Sequence, residues 1–527
     1  MEAKDNKKGW DWIEFLAYNA NRIVCIISSI IFIVLVWWAF RYTQYVAPLG
    51  WEFSQNIPDS MKRNILFLGL AIVFFFGLFY MENRLSESIK NVIVRVSLII
   101  ALVWTGGVGM WWITVLERHP EGDQAFVYGA ASYFLEGSYT FLEAGNYCGK
   151  CPHQLPLIFM LEILFSVVGL FNYYAFQVIC VGFAMGIVYM GYRLVRCITS
   201  RTLLAVGYCL MMICCLPLIF YTGWVYGDIP STFMILLVAN LLYSYSKKQD
   251  WKYLVGIVVG MTLAIMFRQN SLIVLIGLCL VGGVYTIQKK DKKLLAALLA
   301  AIACPILVTS AINKMYEIRS GFEHSDGFPA SSYISMGLQE EYGKYGWYSL
   351  YCSDLYFSVD CDTQRADKLA RKEIGERLEY MAQNPEYARN FFSQKLQSQW
   401  NAPLYQGMYF ATKYWPGYEA EEGTFVDQLS KEYFPTVLSI CDRLQMIVFL
   451  GMLCYCLLAV RKDSNIMQHL IVVTIIGGFF FSIIWEAKSR YILPYYLMMF
   501  PLAVIGYEKL LEKVLTIIAL FWRKNKI

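Results

Sequence analysis

Glu117, Glu121 and Asp123 fall in one short loop directly after an apolar run that ends near residue 115. A carboxylate there has a definite chemical use. Transfer of a sugar with inversion needs a base to take the proton from the attacking hydroxyl while the anomeric carbon develops oxocarbenium character. When the sugar is carried on a membrane lipid, its reactive carbon lies just above the headgroups, so the base must stand at the membrane surface as well. Asp123 meets both demands. The same residue also reads as a helix N-cap, because Gly122-Asp123-Gln124 precedes the helical-looking stretch AFVYGAASYFLEG and Asp is a favoured cap.

Further charges belong to the same side of the chain. The short loop YTGWVYGDIPST exposes Asp228, either to hold an acceptor or help coordinate a metal, or as a cap ahead of Pro230. In FRQNSLIV, Arg268 occupies a tight turn between two apolar runs, where the bias of membrane proteins disfavours a cation. A lipid phosphate accounts for it through two-pronged pairing with the guanidinium, and snorkelling to the headgroups is the plainer alternative. The turn IIWEAKSRYILPYY groups Glu486, Lys488 and Arg490, with the two cations as phosphate ligands or headgroup anchors. His153 and Gln154, just ahead of another apolar stretch, are candidate phosphate or sugar contacts.

The elements that position these residues are membrane spans. Of the 527 residues, 57% are hydrophobic, 17% aromatic and only 16% charged, and the mean hydropathy is +0.45, which places the chain in a bilayer. Apolar segments near 22–40, 62–81, 92–115, 173–191, 202–221, 230–246, 251–267, 271–288, 294–313, 443–460, 466–485 and 490–510 are each about long enough to cross roughly 30 Å of hydrocarbon. The basic N-terminus shows no cleavable signal peptide, so the first span is expected to stay as an anchor. If residues 155–170 do not cross, the clusters Arg193/Arg196/Arg201, Lys247/Lys248/Lys252, Lys289/Lys290/Lys292/Lys293, Arg461/Lys462 and Arg523/Lys524/Lys526 all share the side of that N-terminus, as the positive-inside rule requires. Residues 155–170 are therefore expected as a re-entrant or surface-lying helix begun by Pro152 and Pro156. Arg41, Lys62 and Arg63, in the first outer loop, are the exceptions. The basic residues report topology in this way, and the net charge of +5 points to no nucleic-acid partner.

The expected organisation is an N-terminal segment with two spans (1–91), a transmembrane core (92–313) with its first outer loop at 116–172, an extracytoplasmic domain (314–442) and C-terminal spans (443–527). Within the large outer segment two helices are expected on either side of Asn384-Pro385. Ile374, Leu378 and Met381, then Phe391, Phe392, Leu396 and Trp400, recur near helical spacing, either to rest on the membrane surface or to form the core of a small soluble domain.

Taken together, Asp123-Gln124 shortly after an early span, a helix ending in a Gly-Tyr stretch, and Pro-His-Gln-Leu-Pro-Leu-Ile-Phe at 152–159 resemble the glycosyltransferases of the GT-C fold that use lipid-linked sugars. That group includes protein O-mannosyltransferases, aminoarabinose transferases and bacterial envelope glycosyltransferases. The likeness in layout runs from residue 92 onward and leaves the two N-terminal spans without a counterpart. It implies an all-α polytopic membrane protein, a GT-C-like bundle of about twelve transmembrane helices with a mixed extracytoplasmic domain. It implies a sugar donor linked to polyprenyl phosphate, and a glycan, lipid or protein acceptor. Asp123 would be the catalytic base or, in some branches, a metal ligand, and Asp228 would match a second acidic site. Arg490 and Lys488 fall where an Arg-Tyr-x-x-Pro stretch contacts the carrier phosphate. No cofactor is expected, although part of the group uses a divalent cation; Gln124 beside Asp123, in place of a second carboxylate, leans towards a metal-independent reaction.

Most of the 15 cysteines lie inside apolar runs, where they act as small hydrophobes. Cys148 and Cys151 have zinc-knuckle spacing and could be completed by Cys352 and Cys361, but disulfides are the expected state of these four on an oxidising face. Absence of any Asn-x-Ser/Thr site leans towards a bacterial plasma membrane, with the site on the extracytoplasmic face. Two other functions share this architecture: an O-antigen-type polymerase or ligase, which would depend more on arginines and a histidine in the large loops, and a flippase or transporter. A transporter usually shows two matching halves and ionisable groups near the bilayer centre, and neither is evident.

Overall fold

The computed structural model describes residues 2–48, 52, 54–116, 120–341, 343–412, 422–459 and 466–524; Glu117 and the Arg461/Lys462 cluster lie outside them. Helices occupy all twelve expected apolar segments. Among the described residues, nine helices are long and apolar enough to cross a membrane, or up to eleven if each of two bent pairs is one span. The remaining segments are shorter or carry charge: Trp251–Phe267 has 17 residues, and Leu493–Lys524 runs on through Glu508, Lys509 and Glu512. The expected span at 202–221 is broken by 54° between Leu204–Ile213 and Leu216–Gly223, because Pro217 opens the second piece and cannot continue the hydrogen bonding of the first. On Met61–Glu82, Ile65, Leu66, Leu70 and Val73 are all exposed, an apolar surface that only lipid can cover. The chain is a multi-pass, all-α membrane protein.

The helices start where polar caps are available. Ser60, Ser86, Asp250 and Asp291 each accept a backbone N–H of the first turn that follows, meeting donors that a helix start leaves unpaired. Phe434–Leu458 and Leu493–Lys524 pack closely at Gly451 and Gly506, where a Cβ on Gly506 would lie 1.8 Å from the Gly451 carbonyl oxygen. No residue with a side chain fits there. Asp228–Lys248 begins with Asp228 and ends with Lys247 and Lys248, while Trp251–Phe267 begins beside Lys252 and is followed by Arg268. Basic clusters and site residues thus stand at opposite helix ends.

The segment expected not to cross is the 14-residue helix Leu155–Val168, about 21 Å long at 1.5 Å per residue. It is joined to Thr140–Lys150 through a 97° bend. Glu162, in its middle, pairs with Arg319 Nη2 at 2.6 Å and accepts a hydrogen bond from Tyr316 at 2.7 Å. Those partners lie at the end of Lys292–Ser320, so the short helix packs across the end of a span.

Helices also dominate the large segment 314–442, with Thr363–Gln383 and Pro385–Trp400 separated at Asn384. Its strands are limited, among the described residues, to Glu340–Glu341 paired with Lys344–Tyr345. The apolar stripe of Pro385–Trp400 turns into the protein: Phe391, Leu396 and Trp400 are buried, which replaces the membrane-surface reading for this helix. Trp400 packs near Phe479 and Tyr495 and donates from Nε1 to Ser482 Oγ at 3.2 Å. Trp400→Ala is expected to cost about 3–5 kcal/mol, read as a lowered thermal midpoint in detergent.

The two N-terminal spans are joined by a hairpin, Tyr42–Val46 paired antiparallel with Ser54–Pro58. Gln44 Nε2 donates to Gln397 Oε1 at 3.0 Å, and Asn401 Nδ2 donates to the Tyr42 carbonyl at 2.7 Å. The N-terminal hairpin is therefore tied to the helix Pro385–Trp400 and the residue that follows it, and the turn between its strands carries Glu52.

Candidate functional site

Helix ends and connecting loops converge on one large cavity of about 1930 Å³, larger than the roughly 300–1,000 Å³ of a common small-molecule pocket. Asp123, His153, Gln154, Arg268, Lys488 and Arg490 all line it. Asp228 does not, and this corrects the expectation of an exposed acidic residue: it is 1% exposed.

Asp123 and Asp228 are not helix caps either. Each is the first residue of its helix, Gly122 and Gly227 hold the cap positions, and neither cap makes a side-chain hydrogen bond. Asp123 Oδ2 instead accepts from Arg490 Nη2 at 3.1 Å. The side chain of Asp123 remains 40% exposed towards the cavity it lines. Burial raises its pKa, but Arg490, Lys488 and Arg268 outweigh that and hold the carboxyl below its ordinary value. Asp123 is an ionised carboxylate clamped by an arginine.

Two further ion pairs complete the charged wall. Asp228 Oδ1 lies 3.3 Å from Arg268 Nε, and Asp228 Oδ2 accepts from Trp224 Nε1 at 3.2 Å. Asp228 acts through Arg268, fixing a guanidinium that lies over the rings of Tyr226 and Tyr491 at 5.0 and 5.4 Å. The turn before Asp228 sits against the end of the next helix: a Cβ on Gly227 would fall 1.7 Å from the Phe267 carbonyl oxygen. Lys488 Nζ pairs with Glu52 at 3.1 Å and lies 4.0 Å from the centroid of Tyr348. Gln406 joins the two halves, donating to Glu52 at 2.7 Å and accepting from the Arg490 backbone N–H at 3.1 Å. Lys488 and Arg490 are each only 5% exposed, so they do not reach lipid headgroups as surface anchors.

His153 titrates at about 4 because burial and the nearby Arg268 both disfavour its charged form, against a smaller opposing effect of Asp123; it is neutral at physiological pH. Gln124 is buried and accepts the Val225 backbone N–H at 2.7 Å, locking the Asp123 helix to the Trp224–Asp228 turn. All 15 cysteines are free, which corrects the expected disulfides. Cys148 packs in the apolar core, Cys151 faces the Tyr333 hydroxyl at 3.9 Å and Cys352 lies against Met336 Sδ at 4.0 Å, each held on its own element. Among the described residues no group of three or more His, Cys, Asp or Glu is arranged to hold a metal ion.

Glu52, Gln406, Tyr348, Tyr226 and Tyr491 escape sequence reasoning. Tyr491 belongs to the Arg-Tyr-x-x-Pro stretch but was given no role there; the other four sit in no recognisable motif, and Glu52 meets a lysine more than four hundred residues later. Lys395 is another such residue. Fully buried, it donates to the carbonyls of Gly337 and Ile483, while the Ala487 backbone N–H donates to the Gly346 carbonyl at 2.7 Å. The segment 314–442 is thereby fastened to the turn that carries Lys488 and Arg490. Burial lowers the Lys395 pKa to about 7, opposed by Glu486. Between about 7 and the ordinary lysine value near 10.4, the unfolded chain binds the proton that the folded chain has lost, so stability rises with pH. Thermal midpoints measured from pH 7 to 10 should shift in favour of wild type relative to Lys395→Met; a constant difference would show that Lys395 stays charged.

No protein-family model matches the chain, and no curated protein matches it.

Proposed function

We propose that this chain is a membrane glycosyltransferase that moves a sugar from a polyprenyl-phosphate carrier to a hydroxyl acceptor, with inversion, on the extracytoplasmic face of a bacterial plasma membrane. One observation carries the reading: Arg490 holds the carboxylate of Asp123 with one nitrogen while its buried Nε has no hydrogen-bond partner among the described residues. A buried guanidinium nitrogen left unpaired is costly, and a phosphate oxygen is the partner its geometry suits.

The chemistry follows from that pairing. The carrier phosphate draws on Arg490 and Arg268, which loosens the grip of Arg490 on Asp123 and makes the carboxylate more basic. Asp123 takes the proton of the acceptor hydroxyl as its oxygen bonds to the anomeric carbon. The bond from that carbon to the phosphate oxygen breaks, and the polyprenyl phosphate leaves with the electron pair, its charge met by fixed cations in a partly dehydrated site. Lys488, neutralised by Glu52, supplies a further positive group on the same wall. The size of the cavity suits two substrates at once, and residues of the large segment, Tyr333 and Tyr348 among them, line it together with Asp123. The resemblance in layout to the GT-C group supports the same reading.

The test is transfer by purified protein from polyprenyl phosphate bearing a radiolabelled sugar, with envelope extract as acceptor. Label should move to a product no longer extracted with the carrier lipid. Movement of the intact lipid-linked sugar across a vesicle membrane, with no new glycosidic bond, would replace the transferase by a flippase.

A further inference from the structure

Glu486 is a buried charged residue of the cavity wall that the reaction above leaves without work. It lines the cavity and is 5% exposed. Its Oε1 accepts a hydrogen bond from the Tyr491 hydroxyl, and its buried Oε2 has no hydrogen-bond partner among the described residues. An unsatisfied buried carboxyl oxygen calls for a ligand, and its neighbourhood says which kind. A phosphate is repelled by a carboxyl group, and a cationic ligand is disfavoured by Lys488 and Arg490 two and four positions along. A neutral hydroxyl remains. The adjoining surface is aromatic: Tyr333 and Trp485 stack with centroids 5.0 Å apart and planes 14° apart, Trp485 stacks in turn on Phe481 at 5.0 Å, and both Tyr333 and Trp485 line the cavity half-buried. Tyr333 and Phe481 take both faces of Trp485, so the stack meets the cavity with ring edges and the remaining face of Tyr333; the apolar C–H patch of a pyranose, rimmed by hydroxyls, suits such an aromatic surface beside a hydrogen-bonding carboxyl group.

We infer that Glu486, with the stacked rings of Tyr333 and Trp485, forms a saccharide-binding subsite in which the free carboxyl oxygen of Glu486 bonds a sugar hydroxyl. The inference rests on the glycosyl-transfer reading for its place in a reaction, but it names a binding element that reading does not contain. The Trp347–Ala487 backbone pairing and the Tyr348 ring over Lys488 hold the outer segment against this turn, so the subsite is built jointly by the outer segment and the last inter-helix turn. The bound ring belongs either to the donor sugar or to a saccharide acceptor.

The experiment uses the full-length protein in nanodiscs and measures binding of undecaprenyl phosphate, of the same carrier bearing glucose, galactose or mannose, and of glucan, mannan and rhamnan hexasaccharides. Glu486→Leu should leave the bare carrier unaffected and weaken the favoured sugar ligand about tenfold or more, the loss expected for a hydrogen bond to a charged group. Loss confined to the sugar-bearing carriers assigns the subsite to the donor; loss confined to the hexasaccharides assigns it to the acceptor. Tyr333→Leu should weaken the same ligand, and Glu486→Gln, which keeps a hydrogen-bonding end on the same skeleton, should retain more affinity than Glu486→Leu while eluting as a single species. Wild-type affinity of both Leu variants for every probe, or no sugar binding by wild type, overturns the subsite even if transfer is intact. If wild type ignores undecaprenyl phosphate and transfers nothing, yet Glu486→Leu still loses saccharide, the transferase reading fails and the subsite stands.

Discussion

Asp123→Asn is expected to lower the rate of sugar transfer by about 10²–10⁴-fold, the contribution of a positioned general base, with little change in affinity for the donor. The amide keeps the size of the carboxylate and one oxygen that can accept from Arg490, so the helix start and the cavity wall should survive. What it lacks is the basicity to take the acceptor proton. Single-turnover transfer from a labelled donor, with donor binding measured in parallel, separates these effects. A donor affinity that collapses together with the rate would recast Asp123 as a binding residue. An unchanged rate would remove it from the chemistry altogether.

Arg490→Lys should be nearly as damaging, although it conserves charge. Arg490 uses one nitrogen on Asp123, and its Nε is available to a phosphate. Its planar group also lies 5.3 to 5.7 Å from the rings of Tyr491, Phe410, Trp224 and Tyr226. An ammonium group offers a single point of charge and cannot serve both oxyanions in fixed geometry. Removal of one preorganised donor to a developing anion typically costs 10²–10³-fold, so kcat/KM should fall by about that factor, with KM for the donor rising as well. A loss no greater than that of Arg84→Lys, on an exposed residue that does not line the cavity, would reduce Arg490 to a structural ion pair.

The helical frame was legible because apolar runs of membrane length carry their own signal. Their number is less so, because Pro217 bends one run and the charges after Tyr507 alter another. The candidate site was legible by residue type and loop position: Asp123, His153, Gln154, Arg268, Lys488 and Arg490 do meet around one cavity, while Asp228 lies buried behind Arg268. Their roles were not. Asp250, Asp291 and Asp362 cap the helices that follow them, while Asp123 and Asp228, in the same kind of sequence, turn away to arginines. The difference is made by what packs across from them, Arg490 and Arg268, which local sequence does not reveal. Asp228 looked exposed because its loop is short and polar, yet Trp224 and Arg268 close over it. Glu52 was hidden for the opposite reason: nothing in its local sequence marks it, and only the folded hairpin brings it to Lys488. The stripe on Pro385–Trp400 showed an apolar face, but an apolar face is equally suited to lipid and to protein, and the buried Trp400 settles which one covers it.

The account stands on single-displacement transfer at Asp123, and that is read most directly from a donor labelled with carbon-13 at its anomeric carbon. Nuclear magnetic resonance of the product reports whether a new glycosidic bond has formed and in which configuration. The expected result is a glycosidic bond with the anomeric configuration opposite to that of the donor, lost in Asp123→Asn. Retained configuration, or a carbon that stays bonded to phosphate, would contradict it.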